Sequence, residues 1–217
     1  MTGTAKNTDA QQADFVKIID RKVEFDGYHR VETITCQPKS LRHEGFAPPM
    51  TREVMYCNKI AAVLLYAPET DKIMLNQQFR LGALMAGCEQ PFLFEAAAGG
   101  LDEGETPEDA ARREAREETG AEITDIEFVS KAYTSAGCLA EEFHLFVGRI
   151  GAETASGFFG LEDEGEEIKT HFLPAADVIA MLDRGDITNA PSAILMHWFA
   201  RHHTALRGRW LKAQTAA

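Results

Sequence analysis

The sequence predicts an α/β layered domain, and three observations carry that reading. Strand-like runs fill most of the chain, one well-capped helix interrupts them, and two amphipathic helices close it. Residues 1–14, MTGTAKNTDAQQAD, are short, polar and aperiodic, which predicts a disordered tail and no secretory signal. From Phe15 the runs FVKIID, RKVEF and HRVETITC alternate apolar and polar residues, with Asp26-Gly27 as a hairpin turn. They predict a small antiparallel N-terminal sheet over residues 15–56, ahead of a main domain over residues 57–210.

KIAAVLLYA is a nearly continuous apolar run, fit for a strand buried on both faces. The turn PETDK joins it to IMLNQQFR as a second hairpin, and PFLFEAAAG reads as one further strand. Thr106 then suits an N-cap, Pro107 the first helical position and Asp109 the acid of a capping box. Gly120 supplies the left-handed residue that ends the helix after about three turns. IEFVSKAY and EEFHLFVGRI read as strands. GAETASGFFGLEDEGEE is a long polar loop of the kind that is functional or disordered, and EEIKTHFL is a short strand. PAADVIAMLDRG, closed by Gly185, and NAPSAILMHWFARHHTAL are the amphipathic helices.

With 217 residues, 45% of them hydrophobic, the chain fits one large domain or a core domain with an N-terminal extension. A formal charge of −12 argues against nonspecific binding to nucleic acid or an anionic membrane. An anionic substrate would need a metal or local arginines to approach. Cys36, Cys57, Cys88 and Cys138 lack ligand spacing and read as reduced thiols, and no uncharged run is long enough to span a bilayer. His144, His171, His197, His202 and His203 also lack ligand spacing. These features predict a soluble, cytoplasmic protein.

The capped helix carries the chemistry. Glu114 and Glu118 are one turn apart on one face, and Glu117 lies beside them. Carboxylates this close raise one another's pKa unless a cation lies between them, and hard oxygen ligands suit Mg²⁺ or Mn²⁺. The plain alternative is a solvated acidic face paired with Arg112, Arg113 and Arg116. The spacing decides between them: Gly99, Glu105, Arg113, Glu114, Glu117, Glu118 and Gly120 match GX5EX7REUXEEXGU, where U is aliphatic. The segment Gly99 to Ala121 therefore resembles a Nudix box, with alanine at both U positions. Outside it, Gln78-Phe79-Arg80, Glu95 before AAAGG, YTSAGCLAEEFHLF, TASGFFGLEDEGEEIKTHFL and ITNAPSAILMHWFARHH resemble the ADP-ribose pyrophosphatase branch of the Nudix hydrolases. A departure is Ser135-Ala136-Gly137-Cys138, where that branch usually has Ser-Pro-Gly-Gly.

The resemblance implies a mixed sheet sandwiched between helices, α/β/α, with the box helix beside it. It implies that Glu114, Glu118, Glu166 and the carbonyl of Ala98 bind metal, Mg²⁺ or Mn²⁺. Glu117 is then a further ligand, through water, or a helper that orients one. Gly99, Glu105, Arg113 and Gly120 hold the box geometry, with Arg113 pairing to a carboxylate such as Glu105. Glu164 is the implied catalytic base, although a shift of one or two positions within residues 162–167 is compatible with the same pattern. Arg80 is the implied diphosphate clamp. Tyr28 stacks on adenine or is plain surface. Arg52 and Glu53 reach the nucleotide from a partner subunit that exchanges its N-terminal sheet, or form a surface ion pair. Glu141 lies near the terminal ribose and phosphate. The implied reaction is Mg²⁺-dependent cleavage of ADP-ribose to AMP and ribose 5-phosphate by a homodimer. GDP-mannose or another nucleoside-diphosphate sugar is the alternative substrate, and a non-catalytic ADP-ribose-binding module is the alternative class.

Overall fold

The computed structural model describes residues 14–152, 154, 156–161 and 165–214. The tail over residues 1–13 lies outside them. The chain packs as two compact units.

Of the described residues, the first unit holds 14–58 together with Tyr133–Glu141. Strand β1 (Val16–Asp26) pairs antiparallel with β2 (Arg30–Pro38), from Val16↔Pro38 to Asp26↔Arg30 across the predicted turn. FVKIID and RKVEF form one strand here, because irregularities at Ile18/Asp20 and Val23/Phe25 absorb the break in alternation. The first half of β3 (Met50–Ala67) pairs with β2 from Cys36↔Met50 to Arg30↔Tyr56. Glu32 is buried, and its carboxylate accepts from Arg30 Nε at 2.8 Å and from the Tyr56 hydroxyl at 2.9 Å.

The second unit holds Lys59–Ala132 and the described residues from 142 to 214. The second half of β3 pairs with β4 (Lys72–Phe79) in the expected hairpin. Asp71 takes a left-handed φ of 56° in that turn, a conformation Asp tolerates. Its Oδ1 accepts from the Tyr66 hydroxyl at 2.7 Å and lies 2.6 Å from His203 Nε2, while Arg207 Nη1 donates to Oδ2 at 3.4 Å. Burial presses the Asp71 carboxyl upward, but the Tyr66 and His203 hydrogen bonds outweigh it and hold the group below its ordinary value.

A short helix, α1 (Leu81–Met85), follows Arg80. PFLFEAAAG is two strands rather than one: β5 (Phe92–Glu95) pairs with β4, and β6 (Ala97–Gly100) pairs with β3. The chain changes partner at Ala96, whose amide donates to Ser192 Oγ at 2.9 Å. Helix α2 (Pro107–Thr119) is the capped helix. Strands β7 (Asp125–Ala132) and β8 (Leu139–Arg149) are antiparallel from Asp125↔Arg149 to Ala132↔Phe143. The long polar loop contains a two-residue strand, β9 (Phe158–Phe159), on β10 (Ile168–Pro174), which pairs on its other side with β4. Helices α3 (Ala175–Arg184) and α4 (Ala190–Gln214) complete the unit.

Strand periodicity sorts this unit into two cores, one on each side of the sheet. Ala62, Leu64 and Tyr66 of β3 join Ile73, Leu75, Leu145 and Val147 against Val178, Leu182, Leu195, Phe199 and Trp210 of α3 and α4. Ala61, Val63 and Leu65 join Met74 and Phe146 against Ala110, Ala111 and Ala115 of α2. The fold is α/β, with the sheet between helices.

Candidate active site

Helix α2 begins where the sequence places it. Thr106 Oγ1 accepts from the Asp109 amide at 3.2 Å, and Gly120 closes the helix at φ 66° with its amide on the Arg116 carbonyl. A Cβ on Gly120 would also meet the Phe159 ring at 2.9 Å. The inward face of α2 consists of alanines with no exposed surface, so nothing larger separates helix from sheet. Glu114 and Glu118 are consequently buried against β6.

The closest approach is at Gly99. A Cβ there would lie 1.9 Å from Glu114 Oε1, so the Glu114 carboxylate occupies the space a side chain would fill. Glu118 Oε2 accepts two hydrogen bonds, from the Ala98 amide at 3.0 Å and from Asn76 Nδ2 at 2.8 Å. Burial raises the pKa of Glu118 well above the ordinary carboxylate range, and the neighbouring Glu114 adds to it. Burial likewise raises Glu114, partly countered by Arg113 and reinforced by Glu117 and Glu166.

Arg113 gathers the box carboxylates. Its guanidinium donates to both oxygens of Glu105 at 3.0 Å, to Glu114 Oε1 at 2.6 Å, to Glu117 Oε2 at 3.1 Å and to the Gly100 carbonyl at 2.8 Å. Hydrogen bonding to Arg113 lowers the Glu105 pKa. Glu117 is more exposed than Glu114 or Glu118. Arg80 forks onto Glu95, with Nε at 3.0 Å from Oε1 and Nη2 at 2.6 Å from Oε2. Gln78 Nε2 donates to Glu166 Oε1 at 3.3 Å.

The second unit thus brings together Arg80, Ala98, Gly99, Glu105, Arg113, Glu114, Glu117, Glu118 and Glu166. Glu164 lies outside the described residues. Among the described residues, no three His, Cys, Asp or Glu side chains form a ready-made metal-holding group. The donor set does fit a hard divalent cation: Glu114 and Glu118 supply buried oxygens whose mutual repulsion a cation would relieve, in a cradle opened by Gly99.

Four expected substrate contacts belong to the first unit. Tyr28 is exposed at the centre of the three-residue β1–β2 turn, with its ring edge-on to His29. Arg52 and Glu53 are exposed on β3, and Arg52 Nη1 donates to the Thr51 carbonyl at 2.8 Å. Glu141 accepts from the Thr134 hydroxyl. The Ser135–Cys138 turn closes with the amides of Cys138 and Leu139 on the Ser135 carbonyl.

Asn76 lies outside every motif and Glu95 has no assigned role in the segment that carries it, yet both are buried and hold site groups. Their signal in the sequence is weak. Asn76 is a polar residue following the apolar run IML, and Glu95 is a charge between the apolar FLF and AAA.

A capped acidic helix laid against a side-chain-free strand position, within an α/β sandwich, defines the class of protein. The NUDIX domain family model matches residues 58–196, and the chain belongs to that family. Over 199 residues it is 36% identical to the ADP-ribose pyrophosphatase of Escherichia coli (strain K12), covering 90% of this chain and 92% of that one. It is 34% identical over 194 residues to the GDP-mannose pyrophosphatase of Cronobacter sakazakii, covering 89% and 96%. Among solved structures, an ADP compounds hydrolase shares the fold with a TM-score of 0.66 at 19% identity, covering 92% of this chain and 96% of that one.

Proposed function

We propose that the chain is a Nudix pyrophosphohydrolase that cleaves the diphosphate of ADP-ribose, giving AMP and ribose 5-phosphate. The observation that carries the chemistry is the α2–β6 contact, where Glu114 fills the space beside Gly99 and Glu118, one turn on, accepts from the Ala98 amide. The substrate rests on the 36% identity, over nine tenths of both chains, to a protein named for that reaction.

Mg²⁺ is the proposed ion, with Mn²⁺ able to replace it, and Glu114, Glu118, Glu166 and the Ala98 carbonyl would hold it. When bound, it neutralises charge on the diphosphate oxygens and acidifies water. Glu164 would accept the proton of the attacking water as that oxygen bonds to phosphorus and the bridging P–O bond breaks, the departing phosphate leaving with the bridging oxygen. Glu117 helps to orient the ligands. Arg80, fixed in direction by its fork on Glu95, directs guanidinium N–H groups at the diphosphate. Arg113 keeps Glu105, Glu114 and Glu117 in register without touching substrate.

Tyr28, Arg52, Glu53 and Glu141 complete nucleotide and ribose binding in a homodimer that exchanges its N-terminal sheet. A cytoplasmic location agrees with four cysteines that are all free thiols. No helix among the described residues is long and apolar enough to cross a membrane.

GDP-mannose is the second reading, favoured by the 34% identity to a pyrophosphatase named for it. A binding-only module is disfavoured because every box glutamate is retained. The test is kcat/KM with Mg²⁺ on ADP-ribose, GDP-mannose and NADH. A preference for ADP-ribose is expected, and a clear preference for GDP-mannose would refute the substrate assignment.

A further inference from the structure

Asn76 lies in β4, 42 residues before Glu118, and belongs to no part of the box. Its side chain is almost wholly buried at 3% exposure, and Nδ2 donates to Glu118 Oε2 at 2.8 Å. The Ala98 amide donates to that same oxygen at 3.0 Å. Two donors from two different strands therefore hold one oxygen, and among the described residues no donor reaches Oε1. The Asn76 Oδ1 is buried and, among the described residues, has no hydrogen-bond partner. A buried carbonyl left unpaired is unfavourable, and an apolar side chain at this position would avoid that cost. Stability alone does not account for an asparagine here.

We infer that Asn76 is a positioning residue: with the Ala98 amide it clamps Glu118 by Oε2, so that Oε1 is the oxygen offered to a divalent cation. The inference rests on the proposal that Glu118 is a metal ligand. Clamping fixes the carboxylate's rotation about its last torsion, which is broad and two-fold for glutamate. It also makes the site's affinity depend on a strand remote in sequence from the box. Partners that orient a metal ligand typically matter 10- to 100-fold in affinity.

The test is direct Mn²⁺ binding, read from the paramagnetic resonance of free Mn²⁺, alongside thermal unfolding in chelator and hydrolysis of ADP-ribose. Asn76→Leu keeps the size and removes the donor. It is expected to weaken Mn²⁺ binding at least about tenfold, while the melting temperature in chelator moves by no more than about 4 °C. In a Glu118→Gln background the same substitution should cause no further loss of binding, because its effect passes through that carboxylate. Asn76→Ala, which adds no bulk, is the second variant. Wild-type Mn²⁺ affinity in a folded Asn76→Leu or Asn76→Ala protein overturns the inference, as does unfolding of both variants or an undiminished effect in the Glu118→Gln background. Wild-type protein that binds no Mn²⁺ overturns the metal-ligand reading as well, so the two failures are distinct.

Discussion

Gly99→Ala is the sharpest probe of the site, because it adds one carbon where the structure leaves no room. The new Cβ would lie 1.9 Å from Glu114 Oε1 and 2.1 Å from its Cδ. Ordinary contact begins near 3.4 Å, so the carboxylate has to retreat by about 1.5 Å. Gly99 is extended strand, and the obstructing atoms are the end of a flexible side chain, so the backbone accommodates alanine readily. The displaced group is a proposed metal ligand. A misplacement near 1 Å at a reacting centre costs on the order of 100-fold in rate, which is about 2.7 kcal/mol of transition-state stabilisation. The expected outcome is a kcat/KM on ADP-ribose reduced about 100-fold, with a melting curve close to wild type. Product can be followed as phosphate liberated from AMP and ribose 5-phosphate by added phosphatase. Wild-type turnover in a folded Gly99→Ala protein would refute the placement of Glu114 at the metal. A variant that unfolds would show that the cradle serves packing instead.

Three further outcomes follow from other parts of the molecule. Glu164→Gln should lower kcat by about 10²-fold or more while Mn²⁺ affinity and melting temperature stay near wild type, and normal turnover would move the base elsewhere in residues 162–167. Ala115→Leu should destabilise the protein by about 1–3 kcal/mol in a urea melt, because Ala115 has no exposed surface and faces the packed sheet; an unchanged midpoint would mean that the interface is loose. Asp71→Asn should cost about 1–2 kcal/mol at neutral pH, since the charge accepting from Tyr66 and His203 is lost while asparagine tolerates the left-handed turn. The Asp71 carboxyl is held below its ordinary value, so its stabilising effect is complete above the unfolded pKa and fades as pH falls below about 4. Wild type and variant should therefore converge in acid, and a gap that stays constant from pH 7 to pH 2.5 would exclude the charge as its source.

Much of this architecture is written in local chemistry. Thr106, Pro107, Asp109 and Gly120 specify where α2 begins and ends through groups that act within one turn, and the helix observed is Pro107–Thr119. The unbroken apolar run of KIAAVLLYA anticipates a strand with cores on both faces, and Ala61 to Ala67 divide between them. What escapes the sequence is set by partners far away in it. Nothing local in PFLFEAAAG marks Ala96 as the place where the chain exchanges β4 for β3, because Ser192 takes its amide from about a hundred residues downstream. The asparagine of IMLNQQF looks like any polar strand residue until Glu118 is placed beside it. The alanines at the aliphatic box positions look undersized in the sequence, but Ala115 and Ala121 are fully enclosed, and the small side chains allow the close approach of α2.

The bond from the Ala96 amide to Ser192 ties the site to a helix outside the box. Ala96 separates Glu95, which forks with Arg80, from Ala98 and Gly99, which face Glu118 and Glu114. Ser192 lies in the first turns of α4, 96 residues further along the chain. A graft of residues 99–121 onto another scaffold would carry every box residue and leave this fastening behind. Moving the motif between proteins therefore calls for a matching acceptor on the covering helix as well as the box itself.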